Sequence, residues 1–389
     1  MIEKSRAFLL WSAVALISCV PGKTLRLTVE NPSDFDRSAE IVEIPVSDLT
    51  AKIALGEGQT FVLANENQEI LPTQITYDGK LIFQAGTKAG ESVTYTLSAG
   101  TPQTFPPKTY GRFITERKDD FAWENDRVAF RIYGPALVEI DGPSNGLDFW
   151  YKRTADLIID KWYGDDLAGV RSYHEDHGEG LDDYKVGRTL GGGMMAPYVD
   201  RKLWLNDNFV RQEVFENGPL RTTFRLTYKD MDVAGKTFGE SRTFSLDAGS
   251  QLTKVIQAYG TDEVIPVAAG IVKRPGNDAI LKNVTAHGTA TLIYAEPTGE
   301  TVGNVYVGTV FPSGLEQTVV DTYTLIHPKT GKEETHSHVL GITSCRPDTP
   351  VTYYTGYGWS KSGFPAVNDF QALIAQFAAS LERPLIVIY

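Results

Sequence analysis

The stretch FAWENDRVAFRIYGPALVEI, residues 121–140, carries the period of a β-strand. Within it Val128, Phe130 and Ile132 alternate with the residues between them, so each set faces one side of a sheet. Similar segments follow towards the C-terminus, for example RQEVFENGPLRTTFRLTYKDM at 211–231 and TPVTYYTGYGWS at 349–360. The pattern predicts an all-β fold.

The residues before this stretch predict a smaller β-unit. Short apolar runs between Leu25 and Gly100 are separated by turn residues, and Asp78-Gly79 marks a hairpin because both residues tolerate positive φ. The segment TPQTFPPKTYG at 101–111 contains three prolines, which cannot donate ladder hydrogen bonds, and is typical of a linker. We expect a small β-sandwich over 20–105 and a large β-domain over 106–389.

One helix is expected near the C-terminus. Apolar residues recur there at helical spacing, after a capping residue at Asn368 and before Pro384: Phe370, Leu373, Ile374, Phe377 and Leu381. The apolar stripe predicts packing against a sheet.

The N-terminus is typical of an export signal. Lys4 and Arg6 precede the apolar run AFLLWSAVALIS, which is too short for a membrane-spanning helix. The tetrad Leu-Ile-Ser-Cys at 16–19 resembles a bacterial lipobox, which predicts removal of residues 1–18 and a lipid on Cys19. A simple secretory signal with a coincidental cysteine is the alternative. We expect a periplasmic or outer-membrane protein held to the membrane by its lipid only.

Charge and cysteine content narrow the function. With 37 basic and 49 acidic residues the net charge is −12, which disfavours nucleic acid as a partner and leaves a small anionic substrate in a locally cationic pocket. If Cys19 is lipidated, Cys345 remains alone and no disulfide forms. We expect a monomer or weak oligomer that requires no cofactor.

The segment YHEDHGEGLDDYKVGRTLGGG, residues 173–193, is dense in titratable groups and glycines and has no hydrophobic period. His174 and His177 would share a face on a helical turn, and with Asp176 they could hold a divalent metal, zinc or calcium. Acid–base chemistry by histidine and a plain hydrated loop are the alternatives.

Four segments carry a family resemblance: 27–45, 116–137, 173–193 and YYTGYGWSKSGFP at 353–365. They resemble a family of exported bacterial proteins catalogued as a domain of unknown function and placed in the galactose-mutarotase-like group. The resemblance covers nearly the whole mature chain and implies that the large domain is a β-supersandwich. It also implies an oligosaccharide dehydratase, a carbon–oxygen lyase acting on uronic-acid oligosaccharides of ulvan or pectin type to leave a 4,5-unsaturated uronate.

Such a reaction needs a cation for the uronate carboxylate, a base at C5 and a proton for the departing oxygen. We assign Arg188 to the carboxylate, because a guanidinium fits it with two hydrogen bonds, and Tyr184 to the departing oxygen if nearby cations lower its pKa. His174 is the candidate base or acid. A salt bridge from Arg188 to Asp182 or Asp183 is the competing interpretation.

The second half of the chain supplies further candidates. His336 and His338 alternate, so on a strand they share a face, and we add His338 to the catalytic set. Tyr357 and Trp359 could stack on sugars, with Lys361 and Lys185 as carboxylate partners. A solvated sheet face and an aromatic core strand are the respective alternatives. At the level of function, a mutarotase or epimerase and a non-catalytic glycan-binding lipoprotein compete with the dehydratase, and a glycoside hydrolase is the weaker option.

Overall fold

The computed structural model describes residues 23–389. The predicted signal at 1–18 and Cys19 lie outside these residues. Within 23–389, no helix is both long and apolar enough to cross a bilayer.

The first unit consists of short antiparallel strands with one helical turn: β1 Thr24–Glu30, β2 Arg37–Pro45, α1 Val46–Thr50, β3 Thr60–Ala64, β4 Ile70–Leu71, β5 Gln74–Ile75, β6 Lys80–Thr87 and β7 Ser92–Gly100. One sheet runs β1-β7-β3-β4 and the other β2-β6-β5. Buried apolar residues such as Leu27, Phe61 and Phe83 form the core of this unit. Gly79, at φ +79°, makes the predicted turn before β6.

The second group contains β8 Thr109–Ile114, β9 Asp120–Asn125, β10 Ala129–Ile132, α2 Pro135–Asp141, β11 Asp148–Lys152, α3 Ile159–Leu167 and β12 Gly180–Asp182. The strands form one sheet in the order β12-β11-β10-β9-β8. Phe130 faces the main core, whereas Trp150 packs against Trp162 of α3. Helix α3 therefore explains why β9, β10 and β11 are buried on both faces.

The remaining elements are β13 Gly192–Val199, β14 Lys202–Leu203, β15 Arg211–Asn217, β16 Arg221–Thr227, β17 Met231–Val233, β18 Lys236–Phe238, β19 Glu240–Asp247, β20 Leu252–Tyr259, β21 Ile265–Lys273, β22 Ala279–Val284, β23 Ala290–Ala295, β24 Val305–Phe311, β25 Gln317–Ile326, β26 Glu333–Cys345, β27 Val351–Trp359, α4 Val367–Glu382 and β28 Ile386–Ile388. One sheet has eight strands, β15-β16-β19-β20-β27-β24-β23-β22, and another has five, β14-β13-β21-β26-β25. The largest core draws buried side chains from both. The all-β prediction is confirmed.

The helix α4 packs on the eight-stranded sheet as its apolar stripe predicts. A Cβ atom on Gly308 would lie 2.9 Å from both Phe370 and Ile374, so the glycine leaves room for the helix. The N-cap is Ala366, not Asn368, and its N–H donates to the Asp369 carboxylate at 2.9 Å.

After α4 the chain returns to the first unit. Strand β28 pairs antiparallel with β1, so that Thr28 lies opposite Ile388. The first sheet thus has the order β28-β1-β7-β3-β4. The predicted boundary between residues 105 and 106 stays a prediction.

Candidate functional site

In the sheet β14-β13-β21-β26-β25, the neighbouring strands β25 and β26 place three rings on one face. Tyr323 of β25 lies opposite His336 of β26, and Asp321 lies opposite His338. The Tyr323 ring centroid is 5.7 Å from that of His336 and 5.6 Å from that of His338. His336 and His338 therefore share a face, as their spacing predicts.

The segment after β12, residues 183–191, covers this face, and we call it the covering segment. The Leu190 N–H donates to His338 Nε2 at 3.0 Å, and the Tyr323 hydroxyl donates to the Arg188 carbonyl at 2.8 Å. Gly187 and Gly191, both at φ +58°, allow the backbone to turn here. The glycine-rich end of the segment packs closely against the backbone of Leu147: a Cβ on Gly191 would lie 2.2 Å from the Leu147 carbonyl oxygen.

Arg274 follows β21 and lies at the centre of a group of polar side chains. Its guanidinium lies over the Tyr184 ring, 5.1 Å from the centroid, and its Nε is 3.5 Å from Glu296 Oε1. The same guanidinium donates to the carbonyl of Lys185. About a quarter of the Arg274 side chain, 27%, is exposed. We call Tyr184, Arg274, Glu296, His336 and His338 the Arg274 cluster.

The Arg274 cluster holds four buried polar atoms without a hydrogen-bond partner among residues 23–389: Tyr184 Oη, Glu296 Oε1, His336 Nε2 and His338 Nδ1. Glu296 Oε1 lies near Arg274 and His336 Nε2 lies near Glu334, but neither pair has hydrogen-bond geometry. An unsatisfied buried group costs about 1–3 kcal/mol, so native proteins contain few of them. These four unused groups, together with the partly exposed guanidinium of Arg274, make the cluster a candidate site.

Burial sets the protonation states in the cluster. It raises the pKa of Tyr184 well above the usual phenol value, so the hydroxyl keeps its proton. Burial also raises the pKa of Glu296, against the opposing effect of Arg274. Burial first, and then His336 and Arg274, lower the pKa of His338 to about 3.

These states correct two expectations. Burial raises the pKa of Tyr184, whereas the expectation was that nearby cations would lower it, so the phenol keeps its proton in the free protein. His338 is neutral, and its Nε2 lone pair already accepts the Leu190 N–H. His338 therefore positions the covering segment and is not available as a base.

Arg188 lies elsewhere, on a cavity of about 740 Å³ between the edge strands β14 and β25. Its guanidinium donates to the carbonyls of Asn206, at 2.7 Å, and Leu205, at 3.0 Å. Two donors of Arg188 are thus occupied by backbone rather than open to a carboxylate. The expected salt bridge to Asp182 or Asp183 is also not formed, since Arg188 lies 3.7 Å from Asp207 instead.

His174 lies on an open loop before β12. Its side chain is 51% exposed, and Nδ1 is 2.9 Å from the Asp182 carbonyl oxygen. This contact favours the tautomer with the proton on Nδ1. No contact joins His174 to the Arg274 cluster in the described part of the chain, and a catalytic role for it stays a prediction.

The predicted metal ligands bind other partners. His177 Nε2 is 3.2 Å from the Ser172 carbonyl oxygen, and Asp176 accepts hydrogen bonds from Arg153 and from the Gly178 N–H. Across residues 23–389, no three His, Cys, Asp or Glu side chains are arranged to hold a metal ion. The structure does not assemble His174, His177 and Asp176 into one set.

The predicted sugar-stacking rings belong to the core. Tyr357 and Trp359 are each 1% exposed, and their polar atoms donate to the carbonyls of Trp150 and Val302. Both residues therefore have a packing role, which corrects the expectation. Lys361 donates to the Thr301 carbonyl at 2.7 Å.

Lys185 is exposed on the covering segment. Its ammonium lies 3.4 Å from Asp183, so the predicted carboxylate partner of this lysine is a protein side chain in the structure. Its carbonyl accepts from Arg274, which makes Lys185 a backbone neighbour of the cluster.

Sequence reasoning missed Arg274 and Glu296. Arg274 directly follows β21 and Glu296 directly follows β23, and a proline comes after each. A residue before a proline is held in extended backbone. A charged residue between a strand end and a proline was therefore the sequence signal that could have identified both positions.

Comparisons with known proteins agree in family. The model of a family described as Domain of unknown function (DUF4861) matches residues 29–387. "Uncharacterized protein P7" of Formosa agariphila is 31% identical over 382 residues, 92% of each chain.

Two solved structures cover 95% of this chain at 9% identity. One is a protein in the glycosyl hydrolase family 38 from Enterococcus faecalis, with a TM-score of 0.40 and 48% of its own chain covered. The other is an alpha-mannosidase from Enterococcus faecalis V583, with a TM-score of 0.37 and 46% covered. The chain spans about half the length of both proteins. By the match over residues 29–387 and the relative in Formosa agariphila, the chain belongs to the DUF4861 domain family.

Proposed function

We propose that this protein is a carbohydrate-active lyase that eliminates water, or the sugar linked through oxygen at C4, from uronic-acid oligosaccharides. The observation that carries the proposal is the Arg274 cluster, in which a cation, a protonated phenol and a carboxylate lie together with hydrogen-bonding capacity left unused. The resemblance of residues 173–193 to uronate dehydratases supports the same reaction class.

Arg274 is assigned to the substrate carboxylate. The proton at C5 lies next to that carboxylate, and its removal builds negative charge that a guanidinium can stabilise. In the free protein Arg274 contacts Glu296 and the Lys185 carbonyl, and it covers the Tyr184 ring. A uronate carboxylate replaces these partners, and the movement of Arg274 opens the buried Tyr184 and Glu296 to the sugar.

Tyr184 and Glu296 are assigned to proton transfer. Glu296 takes the proton from C5, and its raised pKa makes it a stronger base than an ordinary carboxylate. The C5–H electron pair becomes the C4=C5 double bond as the C4–O bond breaks. Tyr184 gives its proton to the departing oxygen, which leaves as water in a dehydratase or as the hydroxyl of the next sugar in a polysaccharide lyase.

The proposal is tested by ultraviolet absorption of the new double bond conjugated to the carboxylate. Purified protein is incubated with saturated oligomers of galacturonate and of glucuronate. We expect absorption to rise with the wild-type protein and the rate to fall roughly 100-fold or more in Tyr184→Phe and in Glu296→Gln, since acid–base groups contribute about that much.

Tyr353→Phe is the matched control. Tyr353 is another buried tyrosine whose hydroxyl has no partner in the described residues, but it packs on Phe311 in the core. Absorption should be unchanged in this variant. No absorption with any uronate oligomer contradicts elimination, and interconversion of anomers seen by polarimetry without absorption would identify a mutarotase instead.

The cellular location of the protein is the second part of the proposal. We propose export and a lipid anchor at Cys19, as the N-terminal sequence predicts. Cell fractionation should find the wild-type protein with membranes and the Cys19→Ala variant away from them. An equal distribution of both would contradict the anchor.

A further inference from the structure

Strand β25 lies at an edge of the sheet β14-β13-β21-β26-β25, with β26 as its neighbour on one side. The two strands pair along the whole of β25 without a register shift. The His327 N–H donates to the Lys332 carbonyl at 2.8 Å, so the odd-numbered residues of β25 exchange hydrogen bonds with β26. The N–H and C=O groups of the even-numbered residues, from Thr318 to Ile326, therefore point away from the sheet.

The edge of β25 borders open space. Residues 321–326 all line the cavity of about 740 Å³ on which Arg188 lies. Neighbouring side chains of a strand point to opposite faces, so an opening that touches six consecutive residues runs along the edge of the strand. On the face away from the three rings, Val320 is 53% exposed and Ile326 is 60% exposed.

The far wall of the cavity lies on the side of the rings. Arg188 donates to the carbonyls of Leu205 and Asn206, which belong to that wall, and the Arg188 carbonyl accepts from the Tyr323 hydroxyl. The wall is therefore joined to the face that carries Tyr323. A further strand can approach β25 from the opposite face.

Strand β25 carries few of the features that keep edge strands from pairing with other chains. Natural proteins protect such edges with charges, prolines, bulges or short strands. This strand has ten residues, contains no proline and has Asp321 as its one charged residue. The edge strand β15 of the eight-stranded sheet differs, because it carries Arg211, Glu213 and Glu216 and has a register shift after Val214. The edge of β25 is therefore suited to a partner strand.

We propose that β25 pairs with β25 of a second copy of this chain, antiparallel and across a two-fold axis. The contact joins the sheets of the two copies into one continuous sheet. A second copy fits this edge because the strand is self-complementary, with one charge and with threonine, valine or isoleucine at every outward position. The inference does not depend on the proposed reaction.

The position of the two-fold axis follows from the sequence of the strand. An axis at Asp321 would place two carboxylates opposite each other, which destabilises a strand pair. An axis at Thr322 places Asp321 opposite Tyr323 of the partner subunit instead. It also gives every outward residue a partner: Thr322 faces its copy, Val320 faces Thr324, and Thr318 faces Ile326.

The test is sedimentation velocity of the full chain over about 1–200 μM, with Cys19→Ala in every sample so that Cys345 is the one native cysteine. A contact through one strand pair buries less than the roughly 1,200–2,000 Å² of stable interfaces, so we expect a dissociation constant of about 1–100 μM. Thr322→Pro should weaken dimerisation roughly tenfold or more, because it removes an N–H donor of each copy at the axis. That N–H points away from β26, so the fold should be kept, which thermal melting checks.

Val284→Pro is the matched control. Val284 is 65% exposed on β22, an edge strand of the eight-stranded sheet. The Thr285 N–H donates to the Thr289 carbonyl, so the N–H of Val284 also points away from its sheet. This variant places the same substitution on another edge and should dimerise like the unaltered protein.

Cysteine cross-linking tests the register. Residues opposite each other in a hydrogen-bonded antiparallel pair have Cα atoms about 5.5 Å apart, which a disulfide can span. Under mild oxidation Thr322→Cys should cross-link at least about tenfold faster than Thr324→Cys, whose copy lies four residues, or about 13 Å, further along the partner strand. Both positions are exposed, whereas Cys345 is buried and should not react.

The proposal is overturned if the protein stays monomeric up to about 200 μM, which would leave the edge to another kind of chain. It is also overturned if Thr322→Pro dimerises as well as Val284→Pro, or if Thr324→Cys cross-links as fast as Thr322→Cys. Absence of uronate elimination changes none of these results, so the two proposals are tested separately.

Discussion

Replacing Tyr184 by phenylalanine should make the protein more stable while it removes activity. The Tyr184 ring packs 4.6 Å from Phe149 and under the Arg274 guanidinium, and phenylalanine keeps both contacts. Only the hydroxyl is lost, and that hydroxyl is buried without a partner in residues 23–389. A buried hydroxyl without a hydrogen bond costs about 1–3 kcal/mol, so its removal should raise the free energy of unfolding by about 1–2 kcal/mol after a small loss of packing.

The thermal shift follows from chain length. At about 2.1 cal/mol/K per residue, the unfolding entropy of a chain of this length is about 0.8 kcal/mol/K, so the melting temperature should rise by about 1–3 °C. Scanning calorimetry and urea unfolding, each run beside the wild type and Tyr353→Phe, measure the change. Tyr353→Phe should shift stability in the same direction without loss of turnover.

Two results would refute this reasoning. A loss of stability greater than about 1 kcal/mol would show that the Tyr184 hydroxyl is hydrogen-bonded in solution, since removing a satisfied partner costs about that much. A stabilised variant with unchanged turnover would show that the unused hydrogen-bonding capacity has no catalytic purpose.

Other predictions concern the buried framework. Burial raises the pKa of Asp148 from 3.8 to about 7, so the folded protein holds a proton that the unfolded chain releases. The unfolding free energy should therefore fall by roughly 1–4 kcal/mol as pH rises from about 4 to 7. Asp148→Asn should flatten that profile in urea titrations. Lys152→Met should destabilise the fold by about 3–5 kcal/mol, because it leaves Glu124 buried without its 2.7 Å partner. Adding Glu124→Gln should restore part of the lost stability. No restoration would show that the two residues are not coupled. Gly192→Ala should cost roughly 2 kcal/mol or more by thermal melting, since the new Cβ would lie 1.9 Å from the Phe149 ring; an unshifted melting temperature would contradict the packing.

The sequence allowed the fold class to be predicted because its signals are local. The alternation around Phe130, the turn at Gly79 and the apolar stripe from Phe370 each depend on neighbours within a few residues. Helices α2 and α3 were not expected, because both lie inside a region whose flanking strands dominate the pattern. The buried state of Tyr357 was also not predictable, since an aromatic strand has the same sequence signature in a core and in a cleft.

The site was predicted only in part, because its residues come from distant positions. Tyr184 was identified from the density of titratable groups around it, and His336 and His338 from their alternation. Arg274 and Glu296 meet these residues only after β21 and β23 have been placed in different sheets. Isolated charged residues at strand ends carry no spacing that relates them to a segment about a hundred positions earlier.

The pairing of β28 with β1 makes the order of synthesis matter. Thr28, Val29 and Glu30 leave the ribosome long before Ile386–Ile388, which complete their sheet. Until then one edge of β1 is open to pairing with other chains, a hazard that exposed strand edges generally carry. The first sheet is therefore complete only after Ile386–Ile388 have been made.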